Sequence, residues 1–222
     1  MFKNKVILHT YITMVNATEQ SFDESEESFI VPTDEFLKSG IHIGTQFKTA
    51  DMKPFIHKTK PDGLSVLDIQ KINDRLQLAA NLLSNYEPED ILVACRRESG
   101  WDAVEKFAEI SGVQYYDGRY PPGILTNPEL DNFTEAEILL VTDPVPDKNA
   151  MKDAEIVGMP VIGLCDTNNK ASGLDLVVPC NNKGRRSLGL AFYILTKIYT
   201  EKRGIIAEKD WDYTIQDFAD II

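Results

Sequence analysis

The chain has 222 residues, of which 43% are hydrophobic and 26% are charged, and its formal net charge is −12. This length and composition suit a single ordinary domain with a packed core and argue against global disorder. No apolar run approaches the roughly 20 residues of a membrane helix, the N-terminal apolar stretch is too short for a secretory signal, and the acidic net charge argues against a generally basic nucleic-acid-binding domain.

The charge is unevenly distributed, and its distribution divides the chain into three parts. Residues 1–33 hold two Lys against five acidic residues, which predicts an acidic, flexible extension. Residues 205–222 hold one Lys against five acidic residues and predict an acidic tail whose aromatic side chains order when they find a surface. Between them, residues 34–204 form the predicted domain. Its segment 38–60 holds five Lys and one Asp, so a local basic surface is expected, since screening hides charges beyond about 8–10 Å.

Strand-like and helix-like patterns alternate through residues 34–204. Most strand-like runs are continuous apolar stretches, which is typical of strands buried on both faces. In chain order, the predicted strands are 64–69, 91–95, 113–116, 138–142, 161–165 and 174–178. Apolar residues at helical spacing predict helices within 72–83, 101–108, 147–157 and 188–199.

Residues at the helix ends support this assignment. Ser99 and Asp102 have the spacing of a capping box before the second helix. Gly112, Gly158 and Gly204 each follow a helix, where a left-handed residue is favoured. The alternation predicts an α/β fold with a doubly wound, mainly parallel sheet and helices on both faces. Ligands of such sheets bind beyond the carboxyl ends of the strands.

The sequence contains few candidate catalytic groups. No strand is followed by G-x-G-x-x-G or by G-x-x-x-x-G-K-[ST], which mark the common nucleotide sites of α/β enzymes. The segments 165–167 (Cys-Asp-Thr) and 142–144 (Thr-Asp-Pro) each end a strand. Either could be catalytic, but the same residues are ordinary turn formers.

The cysteines and histidines do not follow a metal-binding pattern. The cysteines are odd in number, lack C-x-x-C spacing, and fit buried thiols in a reducing compartment. They stand at positions 95, 165 and 180, and the scattered histidines at positions 9, 42 and 57. We therefore expect neither a metal nor a cofactor.

Two segments are better suited to phosphate groups. Residues 48–60 interleave lysines with aromatic side chains, which can neutralise phosphates and stack on unpaired bases. Alternatively, these lysines face solvent and Phe55-Ile56 is a short buried strand. Residues 180–187 lead into the longest helix with three basic side chains, where backbone N–H groups attract anions. Alternatively, their Asn and Ser side chains only cap the helix.

Three further arginines follow predicted strands. Arg96 and Arg97 come directly after residue 95, and Arg119 lies in a proline-rich loop that is held in one shape. These residues could contact an RNA backbone, or could seat their loops on the domain itself. The candidate phosphate contacts are therefore Lys48, Lys53, Lys58, Lys60, Arg96, Arg97, Arg119, Lys183, Arg185 and Arg186.

Six segments in one order resemble the archaeal and eukaryotic branch of the second small-subunit ribosomal protein family. They are LKSGIHIGTQ (37–46), DGLSVLDI (62–69), GRYPPGILTN (118–127), LLVTDP (139–144), residues 154–167 ending in CDT, and VPCNNKG (178–184). The space between residues 46 and 62 is too short for the inserted helical hairpin of the bacterial branch, so the chain looks archaeal in type.

The resemblance implies a flavodoxin-like domain that is a structural constituent of the small ribosomal subunit in the cytoplasm. It also implies contacts with small-subunit rRNA and neighbouring ribosomal proteins, and no enzymatic activity. One alternative is a small-molecule or phosphosugar-binding enzyme on the same fold. Another is an adaptor held mainly by protein contacts through its acidic tails.

Overall fold

A computed structural model describes residues 29–207 and 210–219. Its helices and strands alternate along most of the chain. In chain order they are α1 (Thr33–Ser39), β1 (Ile56–Thr59), β2 (Ser65–Leu67), α2 (Ile69–Leu83), β3 (Ile91–Cys95), α3 (Trp101–Ser111), β4 (Gln114–Asp117), β5 (Ile138–Val141), α4 (Lys148–Val157), β6 (Val161–Cys165), β7 (Leu176–Pro179) and α5 (Arg185–Arg203). Within these residues, no helix combines the length and the apolar character needed to cross a membrane.

The five strands β3 to β7 form one parallel sheet in the spatial order β4-β3-β5-β6-β7. Counted from the first parallel strand, this is the order 2-1-3-4-5 of flavodoxin-like folds, in which the direction of winding reverses between the first and third strands. The predicted doubly wound α/β fold is confirmed. The reversal falls between β3 and β5.

The predicted strand 64–69 is shorter than expected and lies outside the main sheet. It is β2, and it pairs antiparallel with β1 in a separate hairpin. The difference arises at Asp68, whose carboxylate accepts a hydrogen bond from the Gln70 N–H at 3.1 Å and caps α2. The apolar Ile69 is therefore the first residue of a helix.

Alternate side chains of the strands enter two separate cores, which explains their continuous apolar sequences. Ile91 and Val93 face a core that contains α2, α3 and α5, whereas Leu92 and Ala94 face a smaller one against α4 and the loop after β4. All four side chains are fully buried. The sheet is thus covered on both faces, as the sequence predicted.

Glycine ends three helices as the sequence predicted. Gly112, Gly158 and Gly204 follow α3, α4 and α5 with φ of 78°, 74° and 67°. The predicted capping box was wrong. The N-cap of α3 is Gly100, which makes no side-chain cap, and Ser99 lies inside a short 3-10 turn. A Cβ at position 100 would lie 2.8 Å from the Cys95 sulfur, so close packing against β3 fixes where the helix begins.

Residues 210–219, which belong to the predicted acidic tail, pack against α3 and α5. Phe218 is fully buried, and the Trp211 indole donates a hydrogen bond to the Tyr193 hydroxyl at 3.2 Å. A Cβ added at Gly189 of α5 would lie 2.6 Å from the Cβ of Ala219, so the segment needs a glycine there to approach the helix. The predicted N-terminal extension falls largely outside the described residues.

Candidate nucleic-acid interface

The carboxyl ends of β3 and β5 flank the crevice in which sheets of this topology bind ligands. In this protein, charged and polar side chains contact one another in that crevice. Arg97 follows β3 and forms an ion pair of 2.5 Å with Asp143, which follows β5 and is 2% exposed. The Asp143 carboxylate also accepts hydrogen bonds from the Asn169 amide at 2.9 Å and from the Val145 N–H at 3.0 Å. The loops after β3, β5 and β6 are thereby joined.

Asp147 is a second buried carboxylate beside this ion pair. It accepts hydrogen bonds from the Arg96 N–H at 3.0 Å, the Thr142 hydroxyl at 3.3 Å and the Asp143 N–H at 3.4 Å. Burial raises the pKa of Asp147 to about 7. The Asp143 carboxylate also raises this pKa, whereas the N–H donors lower it. With three donors from the two loops, this carboxyl holds the loops after β3 and β5 together.

Asp166 and Thr167, which the sequence offered as a catalytic alternative, hold loops in place. Asp166 is 1% exposed and forms an ion pair of 2.6 Å with Lys183, which also donates to the Asn168 side chain at 2.9 Å. The Thr167 hydroxyl donates to the Phe47 carbonyl at 2.9 Å. These contacts support the turn-forming interpretation of residues 165–167.

The three cysteines are free and buried, as the sequence predicted. Burial raises the pKa of Cys95 to about 12 and also raises the pKa of Cys165 and Cys180. A thiol with a raised pKa is a poor nucleophile, since the thiolate is the reactive form. Across residues 29–207 and 210–219, no three His, Cys, Asp or Glu side chains are grouped closely enough to hold a metal ion.

The lysine-rich segment around residue 48 docks onto the loop that follows β6. The Thr45 N–H donates to the Thr167 hydroxyl at 2.9 Å, and the Thr49 N–H donates to the Thr167 carbonyl at 3.0 Å. At Gly44, a Cβ would meet the Thr167 methyl at 2.5 Å. These contacts place Lys48 at the carboxyl edge of the sheet, beside a loop that is distant in the sequence.

The ten predicted phosphate contacts fall into two groups. Arg97 and Lys183 are part-buried, and each is paired with a buried carboxylate. The other eight are exposed: Lys48, Lys53, Lys58, Lys60, Arg96, Arg119, Arg185 and Arg186. Among these, Arg185 makes a weak ion pair of 3.4 Å with Asp102. Phe55 and Ile56 are part-buried and Ile56 is the first residue of β1, so the strand alternative also holds in part.

The start of α5 combines both interpretations that the sequence left open. The Asn181 side chain accepts hydrogen bonds from the N–H groups of Lys183 and Gly184 at 3.1 and 3.2 Å. Arg185 and Arg186, the first two residues of the helix, remain exposed. The N–H groups of a first helical turn lack intrahelical acceptors, so their partial positive charge adds to the charges of the two arginines.

The topology also separates the charges of the molecule. The connections that follow the strands of the main sheet carry Arg96, Arg97, Arg119, Lys170 and Lys183, and the helices after them begin with Lys148 or with Arg185 and Arg186. Lys148 and Lys170, both exposed, were not among the predicted contacts. Tracing each strand to its end would have found them, because all carboxyl ends of a parallel sheet share one edge. Loops that precede strands carry acidic residues: Glu87, Glu89 and Asp90 before β3, Glu135 and Glu137 before β5, and Asp175 before β7. Exposed cations therefore gather at the carboxyl edge, which we call the basic edge, beside the exposed acids Glu98 and Asp117, whereas the exposed residues named at the opposite edge are acidic.

Comparison with known proteins places the chain in a family. The family model for ribosomal protein S2 matches residues 36–132 and 130–201. The small ribosomal subunit protein uS2 of Thermoplasma acidophilum is 46% identical over 194 residues, covering 87% of this chain and 98% of that protein. The uS2 proteins of Picrophilus torridus and Nanoarchaeum equitans are 48% and 47% identical, over 87% and 82% of this chain and 97% and 90% of their own lengths. The chain therefore belongs to the ribosomal protein S2 family, and its archaeal type is confirmed.

Proposed function

We propose that this protein is a structural constituent of the small ribosomal subunit, held there by small-subunit rRNA at its basic edge and by neighbouring ribosomal proteins. The observation that carries this proposal is the match to the S2 family over most of the chain, with relatives named as small ribosomal subunit proteins. In this role the protein belongs to the cytoplasmic ribosome and catalyses no reaction.

The exposed cations gathered at the basic edge support an RNA contact despite the net charge of −12. Phosphates attract Lys and Arg within a Debye length of about 8 Å at physiological salt, so the acidic groups of the opposite edge are largely screened. Phosphate contacts of this kind position a protein on RNA and carry little sequence information. The shape of the rRNA at the basic edge would therefore dominate recognition.

Within the basic edge, we assign different roles to the paired and the exposed cations. Arg97 and Lys183 neutralise buried Asp143 and Asp166, so their charge is already balanced within the domain. Arg185 and Arg186 are exposed at the start of α5, where the helix dipole adds to their charge. We propose that these two make stronger phosphate contacts than Lys183 does.

The predicted tails fit the protein contacts of this proposal. Residues 1–33 and 205–222 are acidic around the domain of residues 34–204, and acidic segments suit basic ribosomal proteins. Residues 210–219 already lie on α3 and α5, with Phe218 buried. The tail would thus present its charge from a fixed place on the domain.

The double substitution Arg185→Ala and Arg186→Ala should weaken binding to small subunits from which this protein has been removed. Each phosphate contact contributes roughly 0.7 to 0.9 to the slope of log K against log salt. Loss of two contacts should therefore reduce the magnitude of this slope by about 1.4 to 1.8. Density-gradient sedimentation of the reconstituted particles at several salt concentrations measures both the affinity and the slope.

Lys197→Ala with Lys202→Ala is the control, since it removes the same charge from the C-terminal half of the same helix. This control should bind like the wild-type protein. If the two double variants bind equally well, the basic edge does not make the contact. If the wild-type protein fails to sediment with small subunits at any salt concentration, the ribosomal proposal itself is wrong.

A further inference from the structure

Phe47 is the most exposed large hydrophobic side chain in the described part of the chain, at 79%. Single exposed apolar residues are common on protein surfaces, so exposure alone does not indicate a function. The surroundings of Phe47 distinguish it from such residues. Its backbone is fixed, Lys48 follows it directly, and it lies on the basic edge.

The backbone of Phe47 is held on both sides by Thr167. The Phe47 carbonyl accepts hydrogen bonds from the hydroxyls of Thr45 and Thr167, both at 2.9 Å. The Thr49 N–H donates to the Thr167 carbonyl at 3.0 Å. A ring presented on a fixed backbone loses little conformational entropy when it binds a partner, so the ring is preorganised for contact.

Lysines from two parts of the chain lie near residue 47. The Lys48 ammonium lies 3.4 Å from the Thr59 hydroxyl of β1, and the Gln46 amide donates to the Asp62 carbonyl at 3.1 Å. These contacts bring the β1–β2 hairpin, with exposed Lys58 and Lys60, beside residues 46–48. An exposed aromatic ring among several lysines fits a ligand that offers both a flat π face and negative charge.

The second phenylalanine of this region behaves differently. Phe55 is part-buried against the main core, and the Arg75 guanidinium lies 5.4 Å from its ring centroid. Its ring is therefore already in contact with other residues of the domain. Of the two phenylalanine rings in this region, that of Phe47 is open to solvent.

We propose that Phe47 is a base-stacking residue, on which an unpaired base of small-subunit rRNA stacks while Lys48, Lys58 and Lys60 neutralise the adjoining phosphates. This inference rests on the proposed function and makes it more specific. Proteins recognise single-stranded RNA by stacking bases on aromatic side chains next to a basic groove. A protein partner is less favoured, because the lysines around the ring would have to be desolvated at an apolar interface.

The test uses the full-length protein and small subunits from which it has been removed. Stacking contributes about 1–3 kcal/mol per base, so Phe47→Leu should raise the Kd about 5- to 140-fold, and Phe47→Trp should bind like the wild-type protein. Ile156→Ala, at another exposed apolar side chain, is the control and should leave the Kd unchanged. Irradiation at short ultraviolet wavelength followed by mass spectrometry should find a nucleotide attached to the peptide that contains Phe47.

Two results would overturn the stacking proposal. One is an unchanged Kd for Phe47→Leu, and the other is a photocrosslink from position 47 to a ribosomal protein in place of RNA. If Phe47→Leu binds normally while Arg185→Ala with Arg186→Ala binds weakly, stacking is wrong and the RNA contact of the basic edge stands. If both variants bind normally, both proposals are wrong.

Discussion

Replacing Arg97 by Met should lower the free energy of unfolding by about 3 kcal/mol. Breaking a buried ion pair by removing one partner costs about 3–5 kcal/mol, because the other charge is left uncompensated. Here the remaining group is Asp143, which is 2% exposed and lies beside the buried Asp147. We expect the lower end of the range because the Arg97 side chain is 34% exposed, so water can partly replace it. Urea unfolding followed by circular dichroism measures the change.

The adjacent residue provides a matched control for this prediction. Arg96 is exposed, and its N–H, which donates to Asp147, is kept when the side chain changes. Arg96→Met should therefore change stability by less than about 0.5 kcal/mol. Equal destabilisation by the two substitutions would mean that the Arg97–Asp143 ion pair does not hold the loops together.

Replacing Phe218 by Ala should lower the free energy of unfolding by about 3 kcal/mol and release residues 210–219 from the domain. Truncation of a fully buried Phe costs about 3–5 kcal/mol through lost apolar burial and the cavity left behind. The loss cannot exceed the free energy with which the segment docks, because the segment can detach while the sheet stays folded. Urea unfolding gives the stability, and amide hydrogen exchange of residues 210–219 reports the release.

Gln216→Ala is the control for the terminal segment, since Gln216 lies in the same 3-10 turn and is exposed. It should leave both stability and hydrogen exchange close to the wild-type values. If Phe218→Ala were also without effect, the segment would not be docked in solution and would act as a separate tail. Its acidic charge would then be available over a wider range of positions.

Neighbouring cations at the basic edge differ in whether they are exposed or paired with a buried carboxylate. Arg96 and Arg97 are adjacent, yet one is exposed and the other is paired with a buried carboxylate. Lys183 and Arg185 are two residues apart and differ in the same way. A substitution that weakens ribosome binding is therefore informative only when the stability of the variant is also measured. The single exposed arginines suit such experiments better than Lys183 does.

Much of the fold follows from local properties of the sequence. Continuous apolar runs located β3 and β6 to the residue, because strands buried on both faces need no polar alternation. Glycines located the ends of α3, α4 and α5, because a left-handed residue there is strained for any side chain. The cap of α3 was predicted wrongly, because the residue before the helix is Gly100, which packs against the Cys95 sulfur in a tertiary contact.

The sequence by itself determined the family, the alternation of strands and helices, and which segments carry positive charge. Only the tertiary structure decided which of those charges face solvent, since Arg97 and Lys183 meet Asp143 and Asp166 across 46 and 17 residues of chain. It also decided that Lys48 reaches the carboxyl edge, through contacts between residues 45 and 167. Local patterns report the environment of neighbours in sequence, whereas ion pairs and docked loops depend on which distant segments the sheet topology brings together.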